Sequence, residues 1–167
     1  TKSPKRNRTI LSLTHFAGLR IGECAALRVC DVLAKDGTVR NQFTLSPEQT
    51  KGSSSRTVLL NERVQAELAV YLQTVRVRDP KQPLFASQRS AGFTASSLTQ
   101  VINGIYKKAG FDQCSSHSGR RSFATRASSK GISMRVLQKL MGHKNIQTTS
   151  IYIYASDDML RNAVELI

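Results

Sequence analysis

The chain has 167 residues, with 25 Lys and Arg against 11 Asp and Glu, a formal net charge of +14 and a pI near 10.4. At 40% hydrophobic content it has the length for one domain with a real core and little more. The charge balance is unlike that of an ordinary metabolic enzyme and points to a polyanionic partner, nucleic acid first; a membrane role is disfavoured because no apolar run approaches the ~20 residues that span a bilayer.

In chain order, the basic lead-in TKSPKRNRT gives way to apolar residues at Ile10, Leu11, Leu13, Phe16 and Ala17, spacing that predicts a helix from Ile10 to Ala17 closed by Gly18. A second helix is expected over Ile21 to Arg28, because Ile21, Cys24, Ala25 and Leu27 can share a buried side. From Cys30 to Leu60 the pattern changes to turn signals (Asp36-Gly37 and KGSSS) between strand-like runs at Phe43-Thr44-Leu45 and Thr57 to Leu60. Helices are then expected at Glu62 to Val77, at Ala95 to Ala109 with Thr94 as cap, at Ser118 to Ser129, at Ser133 to Met141, and in a short piece around Ser150 to Ala155. The tail DDMLRNAVELI reads as a last amphipathic helix. The class is α+β, mostly helical with a small antiparallel β-sheet.

Cys24, Cys30 and Cys114 are odd in number and scattered, without paired metal-site spacing, and read as reduced thiols in a cytoplasmic compartment. Thr1 to Thr9 is polar and basic, unlike a signal peptide, and a start on Thr reads as a fragment or a trimmed chain.

Four short stretches could carry chemistry. In HSGRR, His117 and Arg120 stand three apart, so both side chains can project from one helix face. A guanidinium fork beside an imidazole suits a phosphate, although alone it reads more readily as a solvated face of a basic protein. In GLRIGE, Arg20 follows a tight turn and Glu23 can pair with it, which in isolation is ordinary surface salt-bridge chemistry. TKG puts Lys51 at a hairpin tip, where a point charge can be delivered over a phosphate. In LMGHKNIQTTSIYIY, Gly142-His143 follows an apolar helix, and Thr148-Thr149 can cap a helix carrying Tyr152 and Tyr154.

Taken together, GLRIGE, TKG, HSGRRSFAT and LMGHKNIQTTSIYIY resemble the catalytic domain of the tyrosine recombinase, or phage integrase, family, over roughly Arg8 to Ala155. The last stretch is the most specific, with Gly-His, a few residues, Thr-Thr, two residues and then a tyrosine. The resemblance implies a site-specific DNA recombinase that cleaves and rejoins strands through a 3′-phosphotyrosyl intermediate, without metal, cofactor or ATP. It implies Tyr152 as nucleophile, Arg20 and Arg120 as the grip on the scissile phosphate, Lys51 as general acid for the departing 5′ oxygen, and Glu23 in support. His117 and His143 complete the pocket, one as base and one as phosphate contact, in assignments that can be exchanged.

The implied partners are double-stranded DNA and other protomers in a tetrameric synapse, with a cytoplasmic, nucleoid-associated setting of bacterial or mobile-element origin. Residues 1–167 would then be a single catalytic domain without the N-terminal core-binding domain. The segment from Asp157 to Ile167 would either dock on a neighbouring protomer or fold back on its own. Two other functions stay open: a DNA-binding or architectural module that does not cut, and a nicking-closing enzyme like a type IB topoisomerase. Spacing alone does not choose between the two tyrosines, which lie ~200° apart on a helix but share a face on a strand. The family pattern selects Tyr152.

Overall fold

The computed structural model describes residues 3–50, 54–87, 92–152, 160–161 and 164–165. Helix α1 (Pro4–Phe16) starts earlier than the apolar spacing suggests, because Pro4 occupies a first-turn position where its missing N–H is no loss. Its basic first turns face outward, while Ile10 and Leu13 are fully buried. Helix α2 (Ile21–Ala26) stops short of the expected Arg28. The backbone from Leu27 to Val29 is claimed by a neighbouring segment instead: Leu84 N–H donates to Leu27 O and Val29 N–H to Gln82 O. Helix α3 (Val29–Val32) then begins behind Arg28, whose N–H donates to Asp31 Oδ2 at 2.8 Å.

The small sheet is as expected: β1 (Gln42–Leu45) pairs antiparallel with β2 (Arg56–Leu59), with Phe43 opposite Val58. Phe43, Leu45 and Val58 point into the core and the residues between them outward, the period-2 pattern of a half-covered sheet. A short 3₁₀ turn, Pro47–Gln49, follows β1. Helix α4 (Glu62–Leu72) is capped by Asn61, which accepts from Val64 N–H. It ends before the expected Val77 because Thr74 and Val75 N–H turn back onto Tyr71 and Leu72 O, tightening the chain out of the helix. Helix α5 (Ala95–Lys108) has the expected Thr94 cap and a following Gly110 at φ +80°.

Helices α6 (Ser118–Ser129) and α7 (Met134–Met141) sit where the sequence places them, and Gly142 closes α7 in the left-handed region at φ +61°. The next helix does not. Helix α8 is the single turn Gln147–Ser150, so Thr148 and Thr149 lie within it rather than capping it, and Tyr152 falls in the turn that follows. Tyr154 and most of the tail expected to be helical over 157–167 lie outside the described residues; Leu160 and Val164 are helical and exposed.

Two apolar clusters form. The larger joins α1, α2, the sheet, α4 and α5 around Leu13, Leu19, Leu45, Leu68, Phe85 and Ile102. The smaller, Ala124, Ala127, Leu137 and Met141, lies between α6 and α7, with Phe123 and Tyr152 packed against it. Helix α6 also packs on α1, where Gly119 makes the approach possible: a Cβ there would come within 2.4 Å of Thr14 Oγ1 and 2.7 Å of His15 Nδ1. Among the described residues, no helix is long and apolar enough to cross a membrane.

Candidate active site

The site is organised around a buried carboxylate. Glu23, in the first turn of α2, is 2% exposed. Its Oε2 accepts from the Arg20 backbone N–H at 2.8 Å and from Arg56 Nη2 at 2.9 Å, and its Oε1 accepts from Arg20 Nη1 at 2.8 Å. Burial on its own would raise the Glu23 carboxyl, but the charge and hydrogen bond of Arg56, with the Arg20 amide, hold it below the usual carboxylate range. It is therefore anionic at neutral pH and fixes two guanidinium groups at once.

Arg56 opens β2 with its side chain only 8% exposed, and its Nη1 donates to Leu140 O at 2.6 Å, linking the sheet to the end of α7. Gly142 is required beside it, since a Cβ there would lie 2.4 Å from Arg56 Cδ in a backbone conformation that already disfavours side chains. Arg120 is projected inward from α6 and is 4% exposed. Its Nη1 donates to Gly18 O, and its Nη2 donates to Met141 O at 2.5 Å and lies 3.0 Å from His143 Nε2. Burial, then the charge of Arg20, pushes Arg120 down to about 9, which leaves it a cation at neutral pH.

His143 follows the left-handed Gly142, which swings it off the end of α7. Its Nδ1 lies 2.9 Å from Thr149 Oγ1, and its ring is roughly parallel to that of Tyr152 with centroids 6.1 Å apart. Burial, followed by the charges of Arg120, Arg20 and Arg56, lowers His143 to about 4, so the imidazole is neutral under physiological conditions. Of these groups Arg20, Arg56 and His143 line a cleft of about 460 Å³, together with Thr50, Ser55 and Lys144 among others, while Glu23 and Arg120 stand behind it. Fixed cations and a neutral imidazole in one cleft have the chemistry to bind a phosphate group.

The structure therefore brings Arg20, Glu23, Arg120 and His143 to one site as two bonded sets, Arg20–Glu23–Arg56 and Arg120–His143, which meet at the end of α7 where Arg56 bonds Leu140 O and Arg120 bonds Met141 O. His117 is not part of it: Arg120 turns inward while His117, at the exposed start of α6, makes no ring contact among the described residues. The expectation that the two project together is corrected by the packing of α6, whose buried face carries Arg120. Lys51 lies outside the described residues, although Thr50 and Ser54 on either side line the cleft. Tyr152 sits beside His143, half buried against the smaller apolar cluster, and does not itself line the cleft. Sequence reasoning missed Arg56. A signal existed, since Arg56 and Val58 share a strand face and Val58 points inward, which places an arginine on the buried side. Among the described residues, no group of three or more His, Cys, Asp or Glu could hold a metal ion.

A sequence model of the phage integrase family matches residues 1–159. The chain belongs to that family. This phage integrase chain is 29% identical over 164 residues to tyrosine recombinase XerC of Bacillus subtilis, covering 94% of the chain and 52% of that protein. It is 32% identical over 160 residues to tyrosine recombinase XerD of Corynebacterium glutamicum, covering 93% and 50%. The chain thus spans about half the length of the curated relatives it matches. Among solved structures, XerA recombinase superposes with a TM-score of 0.78 at 28% identity over 99% of this chain and 59% of that one. XerH recombinase, solved bound to a difH substrate after cleavage, shares the fold at a TM-score of 0.73 and 24% identity, over 98% and 46%.

Proposed function

We propose that this chain is the catalytic part of a site-specific DNA recombinase. The observation that carries the reading is the network of Arg20, Glu23, Arg56, Arg120 and His143 around one cleft with Tyr152 beside it. The family membership and the tyrosine recombinases among its relatives support it. In this reading Arg20 and Arg120 bind the non-bridging oxygens of a phosphodiester. Those oxygens carry the most negative charge in the transition state, so fixed guanidinium groups stabilise it more than the ground state. Glu23 and Arg56 hold Arg20 in place, and because the network is preorganised, little reorganisation is needed when DNA binds.

Tyr152 supplies the nucleophile. Its phenolic oxygen attacks phosphorus, the bond to the 5′ oxygen breaks, and Lys51 gives that oxygen a proton so that it leaves as a hydroxyl. A neutral phenol is a weak nucleophile and needs a proton acceptor, and His117, exposed on the free protein, is available to incoming DNA as that group. The product is a 3′-phosphotyrosyl ester, again a diester, so a 5′ hydroxyl can reverse the reaction without an external energy source. Partner protomers and double-stranded DNA complete the assembly, which places the protein at chromosomal or mobile DNA.

A supercoiled plasmid carrying the DNA that flanks the gene, incubated with the protein in chelator and without ATP, tests the proposal. Recombinant product from the site-bearing plasmid supports it. Relaxation alone, equal with and without the site, indicates a topoisomerase, and retention without strand breakage indicates a binding module.

A further inference from the structure

Gln138, in the second half of α7, is only 8% exposed. Its Nε2 donates to His143 O at 3.0 Å and to Lys144 O at 3.3 Å, while its Oε1 accepts from Arg135 Nη1 at 3.1 Å. The carbonyls have no proton to give and the guanidinium no acceptor, so this orientation of the amide is the one that satisfies every contact. Both of its N–H groups are thereby spent on the two peptides that flank Lys144. The other bonds at this corner hold different groups: His143 N–H returns to Gln138 O, and the His143 ring meets Arg120 and Thr149. Among the described residues no other donor reaches the His143 and Lys144 carbonyls, so the Gln138 side chain sets the direction in which Lys144 leaves the main chain.

Lys144 itself is exposed, lines the cleft with Arg20, Arg56 and His143, and has no carboxylate partner among the described residues. The one carboxylate near the cleft, Glu23, is already bonded to Arg20 and Arg56. A third cation on the same cleft is repelled by the other two until an anion joins them, and a backbone ordered to hold it there has lost conformational freedom as well. Resting on the recombinase reading above, we propose that Lys144 is a further phosphate-binding residue of the cleft, and that Gln138 is the positioning residue that aims it. An ammonium is a point charge, suited to neutralising one backbone phosphate of a bound duplex without reading a base.

Salt titrations of duplex binding count such contacts, because each neutralised phosphate adds about 0.9 to the slope of log affinity against log salt. Lys144→Gln should make the slope shallower by about that amount, and Lys144→Arg should keep it. Lys35→Gln removes the same charge from the turn after α3, outside the cleft lining, and should leave the wild-type slope. Gln138→Met leaves the protein's charge unchanged, yet its slope should fall between those of the wild type and Lys144→Gln. The double variant should be no shallower than Lys144→Gln alone, because Gln138 acts through Lys144. Gln138→Asn, too short to reach either carbonyl, gives a second reading if Gln138→Met does not fold. A wild-type slope in Lys144→Gln, or an equal loss in Lys35→Gln, overturns the phosphate contact, and a wild-type slope in the Gln138 variants overturns the aiming. Slopes that change as expected in a protein that forms no covalent adduct refute the recombinase reading and leave the Lys144 contact standing. Adducts with an unchanged Lys144→Gln slope do the reverse.

Discussion

At the scale of single residues, the pair of Glu23 and Arg56 is the part of the site whose energetics can be separated from its chemistry. Both side chains are buried, and removing one partner of a buried pair costs up to about 3–5 kcal/mol, lessened here because Glu23 keeps its bonds to the Arg20 guanidinium and amide. Arg56→Met should therefore lower the stability measured in urea by that order, and an unchanged midpoint would show that Glu23 does not depend on it. The pH dependence follows with opposite-charged groups acting in the same direction. His143 sits near 4 when folded against an ordinary ~6.5, so between those values the unfolded chain binds a proton that the folded chain refuses. Its effect is absent above about pH 6.5, grows as pH falls, and levels off below about 4. Glu23, held below the usual carboxylate range, adds its loss at lower pH still. The fall in the urea midpoint from pH 7 to pH 4.5 should accordingly be shallower in His143→Gln than in the wild type, and identical slopes would contradict the buried, neutral ring.

At the scale of elements, the position of Arg120 depends on how closely α6 lies on α1. Gly119 faces Thr14 and His15 there, and Gly18, at φ +65°, leaves room for Phe123 of α6, whose ring would be 2.7 Å from an added Cβ. Gly119→Ala should force the helices apart at an overpacking cost of about 1–3 kcal/mol, read as a lower melting temperature. It should also slow DNA cleavage under conditions where the variant remains folded, because Arg120 follows the glycine directly on α6. How much of this was legible in the sequence varied by element. Helices with strong caps, such as α5 behind Thr94, were readable because the cap and the apolar period agree. The end of α2 was not, because its Leu27–Val29 backbone is taken by residues 82–84, a contact that no local pattern encodes. In the site, the motif residues Arg20, Arg120 and His143 were legible together through their family pattern, whereas Arg56 was one cation among many until β2 was seen to turn it inward. Thr149 was read as a cap because the sequence does not say that its hydroxyl meets His143 across α8.

At the scale of the whole molecule, the formal charge of +14 predicts binding dominated by phosphate contacts and therefore by counterion release. Affinity for duplex DNA should fall linearly on a log–log plot against salt, by about 10³-fold or more between 50 and 200 mM if some six phosphates are neutralised. A flat salt response would remove the nucleic-acid reading altogether. The chain spans about half the length of its curated relatives. The proposed reaction turns on a single bond, between Tyr152 and DNA, and is tested by trapping that bond on a nicked suicide substrate and digesting the adduct for mass spectrometry. The wild type should carry a phosphonucleotide on Tyr152, Tyr152→Phe should give no covalent adduct, and Tyr154→Phe should give an undiminished one. An adduct that persists in Tyr152→Phe, or that maps to Tyr154, would contradict it.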